Sequence, residues 1–349
     1  LRKDIRKACR YLLVKPRIRE IGEVIYPKLE DVVGDLTETK GKDLFFDVET
    51  MSDLTLTCLG YGWSDAEAIC VPMYEIPRQA YYYGGKGTAE ILRALAVAFR
   101  DNTVVIHNAM FDLFVMAYKY GIPFPRKVYD TMLSHHRLYP EVEKSLGHCI
   151  SLYIDREYHK NEGVFEPRNQ QQILSLYHYN AKDVISLALL KPKLDLHAAQ
   201  LYAKESVQQV NDSIIPYLTA MCQGINYDKK TLEDKIVYNN RYCAQLSRML
   251  RLLVGYELNP NSPKQVSNYL YNCMLYRKPA KDLTNEKTLL QLRLKHPNPV
   301  LTLILKYRGV AKQSGQLKFP PYVPRGTTKE RITTAYNLAG TTTFRLASK

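Results

Sequence analysis

The chain has 349 residues, of which 46% are apolar and 24% charged, an ordinary globular composition that excludes a disordered tail or a fibre. No stretch approaches the roughly 18 uninterrupted apolar residues of a membrane helix, and the first residues lack an initiator Met and a signal-peptide core, so we expect a soluble, non-secreted protein without membrane contact. The net charge of +14 favours an acidic partner, and seven cysteines without a Cys-x-x-Cys spacing favour a reducing compartment over a disulfide framework or a zinc site.

The first 200 residues predict an α/β layered domain after a short N-terminal appendage. Residues 1–40 mix a basic, helical-looking run at 1–13 with prolines and carry no recognisable chemistry. Alternating or fully apolar runs then predict five strands, at residues 44–48, 54–61, 68–74, 103–107 and 128–129. Helical spacing predicts four helices, at residues 88–99, 109–120, from 131 onward and 172–203, with a loop near 161–170. We expect this domain to span residues 41–203.

The remainder, residues 204–349, predicts a mainly α-helical region that ends in a short β segment. Helical spacing occurs in four blocks, at residues 205–222, 229–254, 263–275 and 285–316, and two β-like runs follow at 332–336 and 341–346. Residues 201–349 contain 23 basic and 9 acidic side chains, whereas residues 1–200 contain 26 of each. We therefore expect the second half to bind along a polyanion. The alternative is that its basic side chains form a solvated surface without a ligand.

Four acidic residues of the first half stand out by their positions. Asp47 and Glu49 lie two apart on a strand, so their carboxylates project from the same face, about 7 Å apart by strand rise. Asp112 lies just inside a helix, and Asp183 shares a helical face with Tyr179. Oxygen ligands of this kind suit Mg²⁺ or Mn²⁺, and two such ions can activate a water for phosphodiester cleavage. Taken singly, each residue also has a purely structural interpretation, as a turn former, a helix first-turn anion or a surface hydrogen bond.

The acidic segments follow one another in a specific order. They are Asp47-x-Glu49, then Asn108-Ala109-Met110-Phe111-Asp112, then Tyr179-Asn180-Ala181-Lys182-Asp183, with 65 and 71 residues between successive acids. This order and spacing resemble the three motifs of the DEDDy class of 3′-5′ exonucleases, which have a ribonuclease H-like fold. The resemblance implies an α/β fold in which the four acids hold two Mg²⁺ or Mn²⁺ ions and Tyr179 positions the attacking water.

The same resemblance implies further roles around the acids. Asn108, Phe111 and Thr50 would contact the substrate strand. His178 lies beside the tyrosine that this class uses, so we expect it to be structural. Asp130 falls where relatives often carry an acid, but we expect no direct metal role for it.

The second half carries a separate resemblance. It rests on Gly224-Ile225-x-Tyr227-Asp228, Leu258-Asn259-x-Asn261-Ser262-Pro263-Lys264-Gln265-Val266, Tyr307-Arg308-x-x-x-Lys312 and the run from Arg331 to Ser348. These segments resemble the start of a family A DNA polymerase, from the thumb into the first palm strands. The resemblance implies that six side chains lie near primer-template DNA: Lys264, Arg308, Lys312, Thr341, Thr343 and Arg345. Phe344 departs from the pattern, because relatives usually have Gly there and a ring would crowd a close approach of DNA to the backbone.

Several polymerase features do not occur in the sequence. It has no aspartate-bearing strand motif after Arg345, no fingers helix with a nucleotide-binding Lys and no His-Asp pair. We therefore expect that this polypeptide alone does not synthesise DNA, and that a missing C-terminal segment or a second polypeptide carries the palm and fingers.

The leading hypothesis is a metal-dependent 3′-5′ exonuclease that acts on single-stranded DNA ends, as the proofreading part of a family A polymerase. The resemblance then implies the cytoplasm of a bacterium or phage-infected host, or an organelle matrix. The first alternative is a clamp-like DNA-binding module that supports a palm carried elsewhere. The second is an RNA-trimming exonuclease of the ribonuclease D type, which would not explain the polymerase-like segments after Gly224.

Overall fold

The computed structural model describes residues 22–154, 167, 169–279, 281, 283–317 and 331–348. The helical-looking run at 1–13 and most of the loop predicted near 161–170 lie outside these residues. The chain forms two compact units, residues 1–224 together with 333–349 (unit 1) and residues 225–332 (unit 2). The domain boundaries expected from the sequence, at residues 40 and 203, stay a prediction.

Unit 1 is built around a mixed β-sheet. Its strands are β1 Gly22–Ile25, β2 Asp43–Thr50, β3 Leu56–Gly62, β4 Glu67–Pro72, β5 Tyr74–Glu75, β6 Ala80–Tyr81, β7 Thr103–Ile106 and β8 Lys127–Asp130. Six of them form one sheet in the order β1-β4-β3-β2-β7-β8, and β5 pairs with β6 in a small hairpin. Strands β2, β3 and β4 form an antiparallel meander, while β2, β7 and β8 run parallel. The carboxyl ends of β2, β7 and β8 therefore meet at one edge of the sheet.

Helices cover both faces of this sheet. They are α1 Leu29–Glu38, α2 Gly84–Asp101, α3 Ala109–Tyr120, α4 Thr131–Leu138, α5 Leu146–Tyr153, α6 Gln170–Gln200, α7 Lys204–Asp212 and α8 Ile214–Gln223. Consecutive residues of β2 pack on opposite faces of the sheet. Phe46 packs with Phe99 of α2, whereas Phe45 packs with α6 residues such as Val184. This layered α/β arrangement confirms the fold class expected from the sequence.

Residues 22–38, expected as part of an appendage, add an edge strand and a helix to unit 1. Strand β1 pairs in parallel with β4, and α1 buries Val32 and Leu36 in the core. The predicted helical block 205–222 is two helices, α7 and α8. The second begins at Ile214, which places Pro216, a residue without an amide N–H, in the first helical turn, where proline is tolerated best.

Unit 2 is mainly helical. Its elements are β9 Ile225–Asn226, α9 Lys229–Val254, α10 Pro263–Asn268, a π-helical turn at Tyr269–Cys273, α11 Glu286–Lys295, α12 Pro299–Gln316 and β10 Arg331–Ile332, with β9 and β10 paired antiparallel. Each helix N-terminus is capped by a side chain that accepts a backbone N–H: Asp228, Ser262, Asn285 and Asn298. The block predicted at 285–316 is two helices, because Pro297 and Pro299 favour a break between them. Among the described residues, no helix of either unit is long and apolar enough to cross a membrane.

The last segment returns to unit 1. Strands β11 Tyr336–Asn337 and β12 Ala347–Ser348 pair antiparallel, Ala339 is buried in the unit 1 core, and the Tyr336 ring packs 5.4 Å from that of Tyr217. The strand predicted at 341–346 is wrong, since these residues form a turn and irregular backbone with Phe344 in the left-handed region (φ 59°). A left-handed residue interrupts the extended backbone that the alternating pattern suggested.

Candidate metal centre and nucleic-acid sites

The acidic residues of the three motifs lie in one cavity of unit 1. One carboxylate oxygen from each of Asp47, Glu49 and Asp183 lies within 4.8 Å of the others. Asp112, in the first turn of α3, lines the same cavity, whose volume is about 300 Å³. Strand β2 supplies two of these carboxylates from one face, and helices α3 and α6 supply the others from either side. The structure thus brings together side chains that are up to 136 positions apart in the chain.

The close approach of α6 to the sheet depends on a glycine. A Cβ on Gly60 would lie 2.3 Å from Asn180 Oδ1, so a larger residue would force the helix or its side chains to shift. Asn180 Nδ2 donates a hydrogen bond to Asp47 Oδ2 at 2.8 Å, and Asp47 is the strand neighbour of Gly60. This contact fixes the distance between the carboxylates of β2 and Asp183, which lies one turn further along α6.

The cluster concentrates negative charge in a buried place. Burial, followed by the charges of Asp112, Asp183 and Glu49, raises the pKa of Asp47 well above its usual value. Burial and Asp183 raise the pKa of Glu49 to about 8, and burial followed by Glu49 raises the pKa of Asp112. Neither Lys nor Arg occurs among the described residues that line the cavity. A group of carboxylates in a cavity whose described lining contains no Lys or Arg fits a divalent cation, which would stabilise their ionised form.

Tyr179 lies on α6 one turn before Asp183 and lines the cavity with its ring buried. Burial and then the charge of Asp183 raise the pKa of its phenol above the ordinary value. The hydroxyl therefore keeps its proton at neutral pH and can donate or accept a hydrogen bond.

The candidate substrate contacts of unit 1 divide into two groups. Asn108 and Phe111 line the cavity, with Asn108 in the left-handed region (φ 73°) and the Phe111 ring 42% exposed. Thr50 lies beside Glu49 at an irregularity of β2, outside the cavity lining. His178 also lies outside it and pairs with Glu23, its Nδ1 2.6 Å from Glu23 Oε2.

Part of the cavity wall consists of residues that no sequence motif indicated. His107, the residue after β7, lines the cavity, and so does the segment Ser145–Gly147 at the start of α5. His107 had a detectable signal, because side chains at the carboxyl ends of parallel strands face the site edge in open α/β sheets. Ser145–Gly147 had none, since its position depends on the path of a loop.

Unit 2 contains a wide cleft that holds two of the candidate DNA contacts. The cleft, of about 1380 Å³, is lined by Lys264 at the start of α10 and by Arg308 of α12. Arg308 Nε donates to the Pro260 carbonyl at 2.7 Å, and its Nη1 donates to the Thr284 carbonyl. Lys312 is exposed one turn further along α12, outside the cleft lining. Arg308 therefore also connects two loops of unit 2 through its guanidinium group.

The remaining candidate DNA contacts lie in the final turn of unit 1. Thr341 Oγ1 accepts a hydrogen bond from the Arg345 N–H at 2.9 Å and lies 3.4 Å from Thr343 Oγ1, so the three residues form one turn.

Phe344, between Thr343 and Arg345, turns its ring onto α4. The Arg137 guanidinium lies 4.2 Å from the ring centroid, and the His136 ring meets it edge-on at 5.4 Å. The Thr341 carbonyl adds to this contact by accepting a hydrogen bond from His136 Nε2 at 3.0 Å. The aromatic side chain is therefore packed against its own chain.

Comparison with known proteins identifies the class of both halves. Residues 27–198 match the family described as 3′-5′ exonuclease, and residues 229–349 match DNA polymerase family A. The chain thus carries a 3′-5′ exonuclease domain followed by a segment of a polymerase.

Relatives agree with this assignment. The chain is 24% identical over 353 residues to DNA polymerase I of Lactococcus lactis subsp. lactis, covering 94% of this chain and 37% of the relative. It is 36% identical over 103 residues to DNA polymerase I of Helicobacter pylori, covering 30% of this chain and 11% of the relative. The chain is thus similar to family A DNA polymerases over the matched residues, and it spans about a third of the length of the lactococcal relative.

A solved structure shares the fold. The POL domain of Pol1 from M. smegmatis, in complex with DNA primer-template and dNTP, aligns with a TM-score of 0.68 at 18% identity, covering 94% of this chain and 54% of that one. This likeness confirms the fold expected from the sequence.

Proposed function

We propose that this chain removes nucleotides from DNA 3′ ends, as the proofreading part of a family A polymerase. The observation that carries the proposal is the convergence of Asp47, Glu49 and Asp183 oxygens within 4.8 Å, in a cavity that also holds Asp112 and Tyr179. The family match over residues 27–198 supports the same reaction class.

The four carboxylates would hold two Mg²⁺ or Mn²⁺ ions. When bound, the ions would activate the attacking water and stabilise the leaving oxygen of the phosphodiester. The Asn180 amide orients Asp47 by donating a hydrogen bond to one of its carboxylate oxygens. The Tyr179 phenol would orient the water, because its raised pKa keeps the hydroxyl protonated.

The substrate would be a single-stranded DNA 3′ end that enters beside α3. Phe111 exposes its ring at the cavity, where a terminal base can stack on it, and Asn108 offers an amide at the same edge. Thr50 is the third proposed contact on this side.

The basic half of the chain would bind along primer-template DNA. The proposed contacts are Lys264 and Arg308 at the unit 2 cleft, Lys312 on α12, and Thr341, Thr343 and Arg345 in the final turn of unit 1. The palm and fingers would come from a further segment or from a second polypeptide.

The six cysteines in the described part of the chain are free, which supports a reducing compartment such as the cytoplasm or an organelle matrix.

A gel assay tests the exonuclease directly. A 5′-labelled single-stranded DNA is incubated with Mg²⁺ or EDTA and with wild-type, Asp183→Ala and Asp195→Ala proteins. Asp195 is the matched control, since it lies on the same helix but pairs with Lys191 on the surface. We expect a ladder shortened from the 3′ end with wild type and Asp195→Ala, and none with Asp183→Ala or EDTA.

The same assay separates the alternatives. DNA that binds but stays intact under every condition would contradict the exonuclease and favour the clamp-like DNA-binding module, to which the basic half is suited. Faster trimming of an RNA oligonucleotide than of DNA would favour the ribonuclease D type of activity, which the polymerase match over residues 229–349 opposes.

A further inference from the structure

Asp130 ends strand β8, and its carboxylate lies at the N-termini of two helices. Oδ1 accepts backbone N–H groups from Asn108 (3.2 Å), Met132 (2.8 Å) and Leu133 (3.0 Å), and Oδ2 accepts that of Ala109 (2.7 Å). Asp130 is fully buried. One carboxylate thus caps α4, which it directly precedes, and also binds the start of α3 across the sheet.

The hydrogen bonds to this carboxylate partly offset the effect of its burial on its ionisation. Burial outweighs the four backbone hydrogen bonds, which act to lower the pKa, so that the pKa of Asp130 is raised to about 6. Two helix N-termini point at it, and helix N-termini stabilise anions.

The start of α3 needs such a restraint. Asn108 occupies the left-handed region at φ 73°, a conformation that is unfavourable for non-glycine residues, although less so for Asn than for most. Asp130 binds the N–H of this residue and of the next. Asp112 follows within the same helical turn, so the direction of its carboxylate depends on how that turn is set.

Hydrogen bonds of Asp130 and Thr131 connect the junction of β8 and α4 to the cavity wall. The Asp130 N–H donates to Asn211 Oδ1 at 2.6 Å, and the Thr131 hydroxyl donates to the Ile106 carbonyl at 3.1 Å. Thr131 Oγ1 also lies 2.9 Å from His107 Nδ1, and His107 Nε2 donates to the Lys144 carbonyl at 3.0 Å. Strand β7, helix α3 and the loop before α5 are therefore all connected to the junction of β8 and α4.

We propose that Asp130 is a positioning residue that sets the first turn of α3 and thereby the Asp112 carboxylate for cation binding. The proposal rests on the proposed function only in that the cation is the divalent ion assigned there. Asp130 itself does not bind the ion, because its oxygens are occupied by the four backbone N–H groups.

Asp130→Asn isolates this role. If the amide oxygen takes the place of Oδ1, three hydrogen bonds remain and the NH₂ faces the Ala109 N–H, donor against donor. Asp130→Ser is a second variant: serine still caps α4 but is one atom too short to reach α3. Asp228→Asn is the matched control, since Asp228 caps α9 in unit 2 through the Thr231 N–H.

The test measures Mn²⁺ binding to the full chain by electron paramagnetic resonance, alongside cleavage at varied Mn²⁺ and thermal unfolding. We expect Asp130→Asn and Asp130→Ser to bind Mn²⁺ about 10-fold more weakly, as for loss of other residues that orient metal ligands. We expect their kcat to fall and to recover partly at high Mn²⁺. Their KM for DNA should stay unchanged. Asp228→Asn matches wild type.

Folded Asp130 variants that bind Mn²⁺ as wild type does would overturn the positioning role and leave the exonuclease proposal intact. Wild-type protein that binds no more Mn²⁺ than an Asp47→Ala variant would overturn both. A fall in activity that follows only the unfolded fraction, without a change in Mn²⁺ affinity of the folded protein, would show that Asp130 acts on stability alone.

Discussion

The substitution Gly60→Ala offers a sharp test of how α6 is placed. The added Cβ would lie 2.3 Å from Asn180 Oδ1 and 2.8 Å from Val184 Cγ2. The Asn180 and Val184 side chains, or the helix that carries them, must move by roughly 1 Å to restore ordinary contact distances. Overpacking of this kind costs about 1–3 kcal/mol, and weakening the Asn180–Asp47 hydrogen bond adds to it, so we expect about 3 kcal/mol in all.

The expected consequences are measurable in two assays. A loss of 3 kcal/mol lowers the melting temperature of a unit of this size by about 6–12 °C in a circular dichroism melt. Exonuclease activity falls further than the folded fraction, because Asp183 moves away from Asp47 and Glu49. Gly34→Ala is the matched control: it lies in α1 with no atom within 4 Å of the new Cβ, and alanine favours a helix. An unchanged melting temperature and full activity for Gly60→Ala would refute the close-packing argument.

Three further predictions concern protonation, the tyrosine and the final turn. The pKa of Glu49 is raised to about 8, so folding favours the protonated form of this side chain. Metal-free protein in EDTA should therefore lose stability as the pH rises from about 4.5 to 8. A series of thermal melts in which stability increases over this pH range would contradict the prediction. Tyr179→Phe should slow cleavage about 10- to 1000-fold while Mn²⁺ binding stays the same; a loss of binding would instead make the hydroxyl part of the metal site. Phe344→Gly should be more stable than Phe344→Ala by about 1 kcal/mol in denaturant titrations, because only glycine adopts φ 59° freely, and equal stability would contradict the left-handed assignment.

The acids could be placed from the sequence because each lies on a strand or helix whose periodicity is detectable. Asp47 and Glu49 share a strand face by the two-residue period, and Asp183 follows Tyr179 by one helical turn. Their convergence in space needed the sheet order, in which β7 pairs beside β2. The exonuclease resemblance implied the convergence of the acids, whereas periodicity alone did not.

Other features depend on contacts that local patterns do not encode. Phe344 packs on Arg137 across more than 200 residues of chain, so its conformation follows from tertiary structure rather than from the alternating pattern around it. Strand β1 is only four residues long and pairs with β4 at the sheet edge, which gives too few residues for a periodic signal. The capping role of Asp130 was missed because its partners lie on a neighbouring helix as well as its own.

The return of residues 333–348 to unit 1 also has a consequence for synthesis on the ribosome. Ala339 packs in the same core as Ile214 and Leu218, yet all of residues 225–332 are made between them. At common elongation rates this interval lasts about 5–20 s. During that time the nascent chain exposes apolar surface that its own last residues will cover. The emerging protein therefore has a window in which a chaperone, or a second nascent chain, competes for that surface.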